Sequence, residues 1–269
     1  LTRSDVIAYH RSAFTPRGAG IVVAGNLREA EAGEQLESAF GGWEGDPPPE
    51  PSGVAKAGVS GVKVVVVDRP GSVQSEIRIG HLGVPRNTPD FFALLVMNTI
   101  LGGAFSSRLN LNLREKHGFT YGVSSAFVMR RQPGPFVVAT AVQTEVTGAA
   151  VREIHSELTR IREDLVTGPE LTDARNYLAG TFPLRLQTTD GVASRLAELL
   201  IYDLPHSYVD EYPERVLAVT DEQVLEAARQ RIRPDELTVL VVGDAAAVRP
   251  QLDALALGEV QVVGVEGPA

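Results

Sequence analysis

Residues 2–26, TRSDVIAYHRSAFTPRGAGIVVAGN, return without gaps as residues 220–244, TDEQVLEAARQRIRPDELTVLVVGD. At this offset of 218, Thr2, Val6, Arg11, Pro16, Val23 and Gly25 recur as Thr220, Val224, Arg229, Pro234, Val241 and Gly243, while Phe14 becomes Ile232 and Ile21 becomes Val239. Each copy reads as a Thr N-cap, an amphipathic helix stopped by Pro, an apolar strand, and a turn at Gly with Asn26 or Asp244. Two copies so far apart imply a duplicated unit of about two hundred residues. The second copy closes a complete unit, and the first is the tail of a preceding one.

Outward from the first copy, a helix near Arg28–Phe40 leads to the Pro-rich stretch Asp46–Gly53, an extended linker by composition. The predicted organisation is a tail over 1–45, a linker over 46–60 and a domain over 61–269. Within the domain, Lys63–Asp68 and Gln74–His81 read as strands, Asp90–Leu101 and Ser106–Lys116 as helices, and Tyr121–Met129 and Pro135–Val142 as strands. Thr147–Leu165, with Thr147 as candidate N-cap, Pro169–Leu186 and Val192–Tyr202 then form a helical layer. Leu237–Val242 returns to the sheet. Strands early and late with helices gathered between them predict an α+β two-layer sandwich, a mixed, mostly antiparallel sheet covered on one face by helices.

Composition narrows the function. Of 269 residues, 43% are hydrophobic and 22% charged, the balance of an ordinary globular chain. A formal charge of −9 argues against nucleic acid as a partner, because phosphate contacts rely on clustered Lys and Arg. No apolar run in the sequence approaches the roughly 20 residues that span a bilayer, so no membrane partner is expected. Cysteine is absent, which removes disulfides, thiolate nucleophiles and Cys-ligated metals. The five histidines, His10, His81, His117, His155 and His206, form neither H-x-x-E-H nor H-E-x-x-H, so no metal ligand is expected in this chain. Gly102, Gly103 and Ser106 do not make a nucleophile elbow; by themselves the two glycines read as a flexible connection between helices.

The segment Leu101–Ser125, LGGAFSSRLNLNLREKHGFTYGVSS, with its Gly pair, Ser-Arg-Leu, Leu-Arg-Glu and Gly-x-x-Tyr, resembles the pitrilysin family of zinc metallopeptidases, which includes insulin-degrading enzyme and mitochondrial processing peptidase. The likeness runs from Asp68, Pro70, Gly71 and Gln74 to Gly243 and Asp244. It implies the non-zinc half of a duplicated peptidase, with zinc held in the missing half or a partner chain, peptide or unfolded polypeptide as substrate, and association of two halves as a dimer. It further implies that Arg114 binds substrate and that Tyr121 both binds it and donates a hydrogen bond to the peptide carbonyl oxygen as charge develops there. The extended substrate is expected to add a strand to a sheet edge. Alone, this chain is expected to be inactive. The alternative is a catalytically silent scaffold or peptide-binding subunit, as in processing-peptidase-like or respiratory core-like complexes.

Overall fold

The computed structural model describes residues 1–49 and 61–264. In chain order the elements are α1 (Arg3–Ala13), α2 (Glu29–Phe40), β1 (Lys63–Asp68), β2 (Gln74–Leu82), α3 (Phe91–Asn98), α4 (Arg108–Asn110), β3 (Val123–Phe127), β4 (Pro135–Gln143), α5 (Thr147–Glu163), α6 (Gly168–Arg185), α7 (Thr189–Tyr202), α8 (Tyr208–Leu217), α9 (Asp221–Arg231), β5 (Thr238–Gly243), α10 (Ala245–Asp253) and β6 (Val260–Val263). Wider π-helical turns extend α3 through Thr99–Gly103 and α4 through Leu111–Lys116. Two compact units result: one holds α1, α2 and α7, the other holds the sheet with α3–α5, α9 and α10, and the division falls inside α6 and α8. Most of the expected linker, residues 50–60, lies outside the described residues.

The sheet order is β3-β4-β2-β5-β1-β6. Pairing is antiparallel for β3/β4, β4/β2 and β2/β5, and parallel for β5/β1 and β1/β6. Alternation along each strand sends one set of side chains to the helices: Ile77 and Ile79 of β2, Val138 of β4, Val239 and Val241 of β5, and Val64 and Val66 of β1 are all buried. Each such side chain stabilises the fold by about 1.5–3 kcal/mol. The opposite face carries the row Ser124, Ala139, Arg78, Leu240 and Val65 across five strands, none of them buried. The predicted α+β two-layer sandwich is the observed architecture.

The helical stretch Phe91–Lys116 is long and apolar enough, by composition alone, to cross a membrane. Its apolar side chains have another use: Leu94, Val96, Met97, Leu101, Leu109 and Leu113 are core residues beneath the sheet.

The two copies of the repeat start alike and end differently. Thr2 and Thr220 each close a capping box, with Asp5 or Gln223 reaching back to the cap N–H. The second copy then buries Val224 and Val241 at 0% exposure, whereas Val6 and Val23 remain 60% and 46% exposed. The strand expected around Ile21–Val23 has no sheet pairing among the described residues. A strand requires backbone partners; β5 finds them in β2 and β1, and the first copy has no such neighbours among the described residues. Gly20 instead lies against α7, so closely that a Cβ on it would meet Leu200 Cδ2 at 2.3 Å. This contact belongs to the unit of α1, α2 and α7, although the sequence reading placed residues 192–202 in the helical layer of the later domain. Thr147 also departs from expectation: α5 is preceded by Val146, and the buried Thr147 hydroxyl bonds Ser75 and the Thr144 carbonyl rather than capping a helix.

Candidate functional site

The site grows from the run Arg108-Leu109-Asn110-Leu111-Asn112-Leu113. Leu109 and Leu113 are fully buried, which fixes the helix against the core. Three polar residues then tie it to three different elements. Arg108 grips Glu170 at the start of α6, Nε to Oε1 at 2.7 Å and Nη2 to Oε2 at 3.1 Å. Asn110 Nδ2 donates to the Val123 carbonyl of β3 at 2.8 Å, and its Oδ1 accepts the Val123 N–H at 3.1 Å. Asn112 Nδ2 donates to Glu157 and Glu153 of α5 at 2.7 and 3.1 Å. Buried polar groups are tolerated when partnered in this way. The π-helical turn closes with the His117 N–H on the Asn112 carbonyl at 3.1 Å, and such turns are frequent at functional sites.

Arg114 lies in this turn, its side chain one third exposed and its guanidinium over the Phe105 ring, 4.2 Å from the centroid. Nη1 is 3.4 Å from Glu115 Oε1, yet the geometry is not that of a hydrogen bond. Gly118, at φ +66°, then reverses the chain in the left-handed region that glycine enters most readily. Tyr121 follows in the turn before β3 and is 97% exposed. The turn beneath it is braced: the Thr120 hydroxyl accepts the Gly122 N–H at 3.1 Å, and the Thr140 hydroxyl of β4 lies 2.9 Å from Thr120 Oγ and 3.0 Å from the Gly122 carbonyl oxygen. An aromatic ring left in solvent on a braced turn is not explained by packing.

Gly102 and Gly103, read as a flexible connection, end the π-helical extension of α3 in tight contact. A Cβ on Gly102 would meet Ser125 Oγ at 2.6 Å and Ser125 N at 2.7 Å. Gly102 lets the helix approach β3, while a Cβ on Gly103 would meet Asn98 Nδ2 and the Asn98 backbone carbonyl oxygen at 3.0 Å. The outer edge of β3 is correspondingly occupied: Asn110 takes both backbone groups of Val123, Asn98 Nδ2 takes the Ser125 carbonyl at 3.0 Å, and the Met129 N–H takes the Phe127 carbonyl at 2.9 Å. At this edge, next to Tyr121, the Val123 N–H and the carbonyls of Val123, Ser125 and Phe127 are therefore already engaged, which reduces the ladder groups that an added strand could pair with.

The described residues do not fit a zinc ion. His81 is buried against Phe136, its Nδ1 2.9 Å from the Leu82 carbonyl oxygen and its Nε2 accepting the Arg233 N–H at 3.2 Å. His117 stacks on Phe119, with Nε2 3.9 Å from Glu153. No group of three or more His, Asp or Glu among the described residues could hold a metal. The sequence names Arg114 and Tyr121 as candidates and does not single out Asn98, Asn110, Asn112 and Thr140, which surround them with hydrogen bonds. Asn alternating with Leu in 109–113 was the available signal, since Asn is a poor helix-interior residue unless its amide has partners.

The sequence profile of the family described as Peptidase M16 inactive domain matches residues 1–178. Among curated proteins, the chain is 25% identical over 233 residues to the uncharacterized zinc protease YmxG of Bacillus subtilis, covering 87% of this chain and 56% of the relative. Among solved structures, it is similar to a peptidase M16 inactive domain from Pseudomonas fluorescens, with TM-score 0.80 and 25% identity over 91% of this chain and 58% of that one. It shares the fold of a chain in complex III2 of Candida albicans, with TM-score 0.68 and 15% identity over 85% of this chain and 56% of that one. The chain spans about half the length of the curated relatives it matches.

Proposed function

The chain belongs to the peptidase M16 inactive-domain family, and from that premise we propose that it is the non-zinc half of a metalloendopeptidase. It closes over a zinc-bearing half, supplied in cis or by a partner subunit, and the two enclose a peptide or unfolded segment. Residues 1–45 are the tail of that preceding half, 46–60 the linker and 61–269 the non-zinc domain. The exposed Val6 and Val23, set against their buried counterparts Val224 and Val241, support this division.

The observation that carries the functional reading is Tyr121, fully presented to solvent on a turn braced by Thr120 and Thr140. Its phenol donates a hydrogen bond to a peptide carbonyl oxygen as negative charge builds there during hydrolysis, an interaction stronger in the transition state than before it. Arg114, stacked on Phe105, keeps its charge at any working pH and holds substrate carbonyls or a carboxylate in register. The zinc belongs to the other half.

The test is zinc content and cleavage of an unstructured peptide by the longest product of the gene, beside the present chain. Tyr121→Phe in the active assembly is expected to lower turnover about a hundredfold, the usual loss for one oxyanion donor. Unchanged turnover removes the role of Tyr121. Neither zinc nor cleavage in any assembly selects the second reading, a scaffold or peptide-binding subunit, which the fold shared with the complex III2 chain favours.

A further inference from the structure

We infer that Asn110 is a positioning residue: its side-chain amide ties the helix that carries Arg114 to the strand entered from Tyr121, and so sets the two groups against each other. The inference rests on the functional reading above.

A ring that is almost wholly exposed has no packing of its own, so Tyr121 is placed by its backbone. Two residues later, Asn110 meets Val123 as a neighbouring strand would, giving one donor and one acceptor to the two outward backbone groups. The amide orientation follows from the partners, since its oxygen faces an N–H and its nitrogen a carbonyl. Asn110 is itself buried, and Nδ2 also reaches the Ala104 carbonyl and Ser107 Oγ, both at 3.2 Å. One side chain therefore holds the start of its own helix and the start of β3. Arg114 lies four residues further along that helix, about one turn away. On the far side of the strand, Thr140 holds Thr120 and Gly122 from β4. Without Asn110, the Tyr121 turn is braced from β4 alone and its registration to Arg114 is lost.

A catalytic group displaced by about 1 Å can cost about a hundredfold in rate. In the full assembly with its zinc-bearing half, at a temperature where circular dichroism shows every variant folded, Asn110→Ala is expected to lower kcat for an unstructured peptide ten- to a hundredfold. KM should stay within about twofold. In the Tyr121→Phe background the same substitution should cost less than about twofold, because a residue that acts through Tyr121 has nothing left to position. A merely structural effect would multiply with Tyr121→Phe, and that result overturns the inference. So does unchanged kcat in Asn110→Ala when Tyr121→Phe is impaired. If Tyr121→Phe alone keeps full turnover, the functional reading and this inference fall together. A second measurement on the present chain tests the clamp without activity: the Val123 amide should exchange with solvent at least about tenfold faster in Asn110→Ala while the Val138 amide is unchanged. Equal exchange at Val123 overturns the clamp.

Discussion

The guanidinium of Arg108 and the carboxylate of Glu170 meet at two points, 2.7 and 3.1 Å, and join the helix carrying Arg114 to the first turn of α6. Burial alone would raise the Glu170 carboxyl, but the bonds from Arg108 and from the Thr167 N–H and hydroxyl outweigh it and hold it at about 2. The group is depressed, so its stabilisation is complete above the ordinary value of 4.5 and is lost as pH falls toward 2. Glu170→Gln should lower stability by about 1–2 kcal/mol at neutral pH. That difference should shrink between pH 4.5 and 2 in urea unfolding curves; a difference constant with pH would assign the loss to packing.

His81 gives a second pH dependence. Burial is the largest influence and pushes the imidazole below 6.5; the nearby Arg233 adds to it, while the Leu82 carbonyl and Glu236 oppose it. The neutral ring, with Nδ1–H on Leu82 and Nε2 accepting from Arg233, fits this environment. A lowered histidine contributes stability above its unfolded value and loses it as pH falls through the folded one. An NMR titration of the His81 ring should find its midpoint below 6.5; a midpoint above that value would contradict the buried neutral form.

The glycines of the site should separate by mechanism. Gly102→Ala puts a Cβ 2.7 Å from the Ser125 backbone nitrogen, and the strand has to move. A loss above about 2 kcal/mol is expected, as for overpacking against a rigid neighbour. Gly118→Ala meets no atom within 4 Å and carries only the penalty of φ +66°, about 1–2 kcal/mol. Thermal unfolding of both variants checks the order, and a larger loss for Gly118→Ala would reverse the argument.

The exposed first copy of the repeat predicts a dependence on chain length. In the present chain Val241→Asp should be severely destabilising, since it places an unpaired carboxylate at a fully buried site, while Val23→Asp should change stability by less than about 0.5 kcal/mol. In the longest gene product, Val23→Asp should become severely destabilising as well. Equal tolerance of Val23→Asp in both lengths would remove residues 1–45 from any preceding domain.

Sequence alone determined whatever rests on neighbouring residues. The Thr N-caps at Thr2 and Thr220, the alternation of Ile77 and Ile79, strands β1 to β5 and the Arg-Tyr spacing of 114 and 121 are properties of short segments, and each was legible as such, whereas the four-residue β6 was not. The repeat also showed that one strand-forming segment occurs twice. Only the tertiary structure decided that Val241 finds partners in β2 and β1 while Val23 does not, because strand pairing depends on backbone groups far away in sequence. It likewise decided that Gly102 serves close packing with Ser125, that Asn98 and Asn110 bond backbone groups of β3, and that Tyr121 stands in solvent. A side-chain amide can replace a strand only when a helix brings it within hydrogen-bond reach of the backbone, and that distance is set by the packed core.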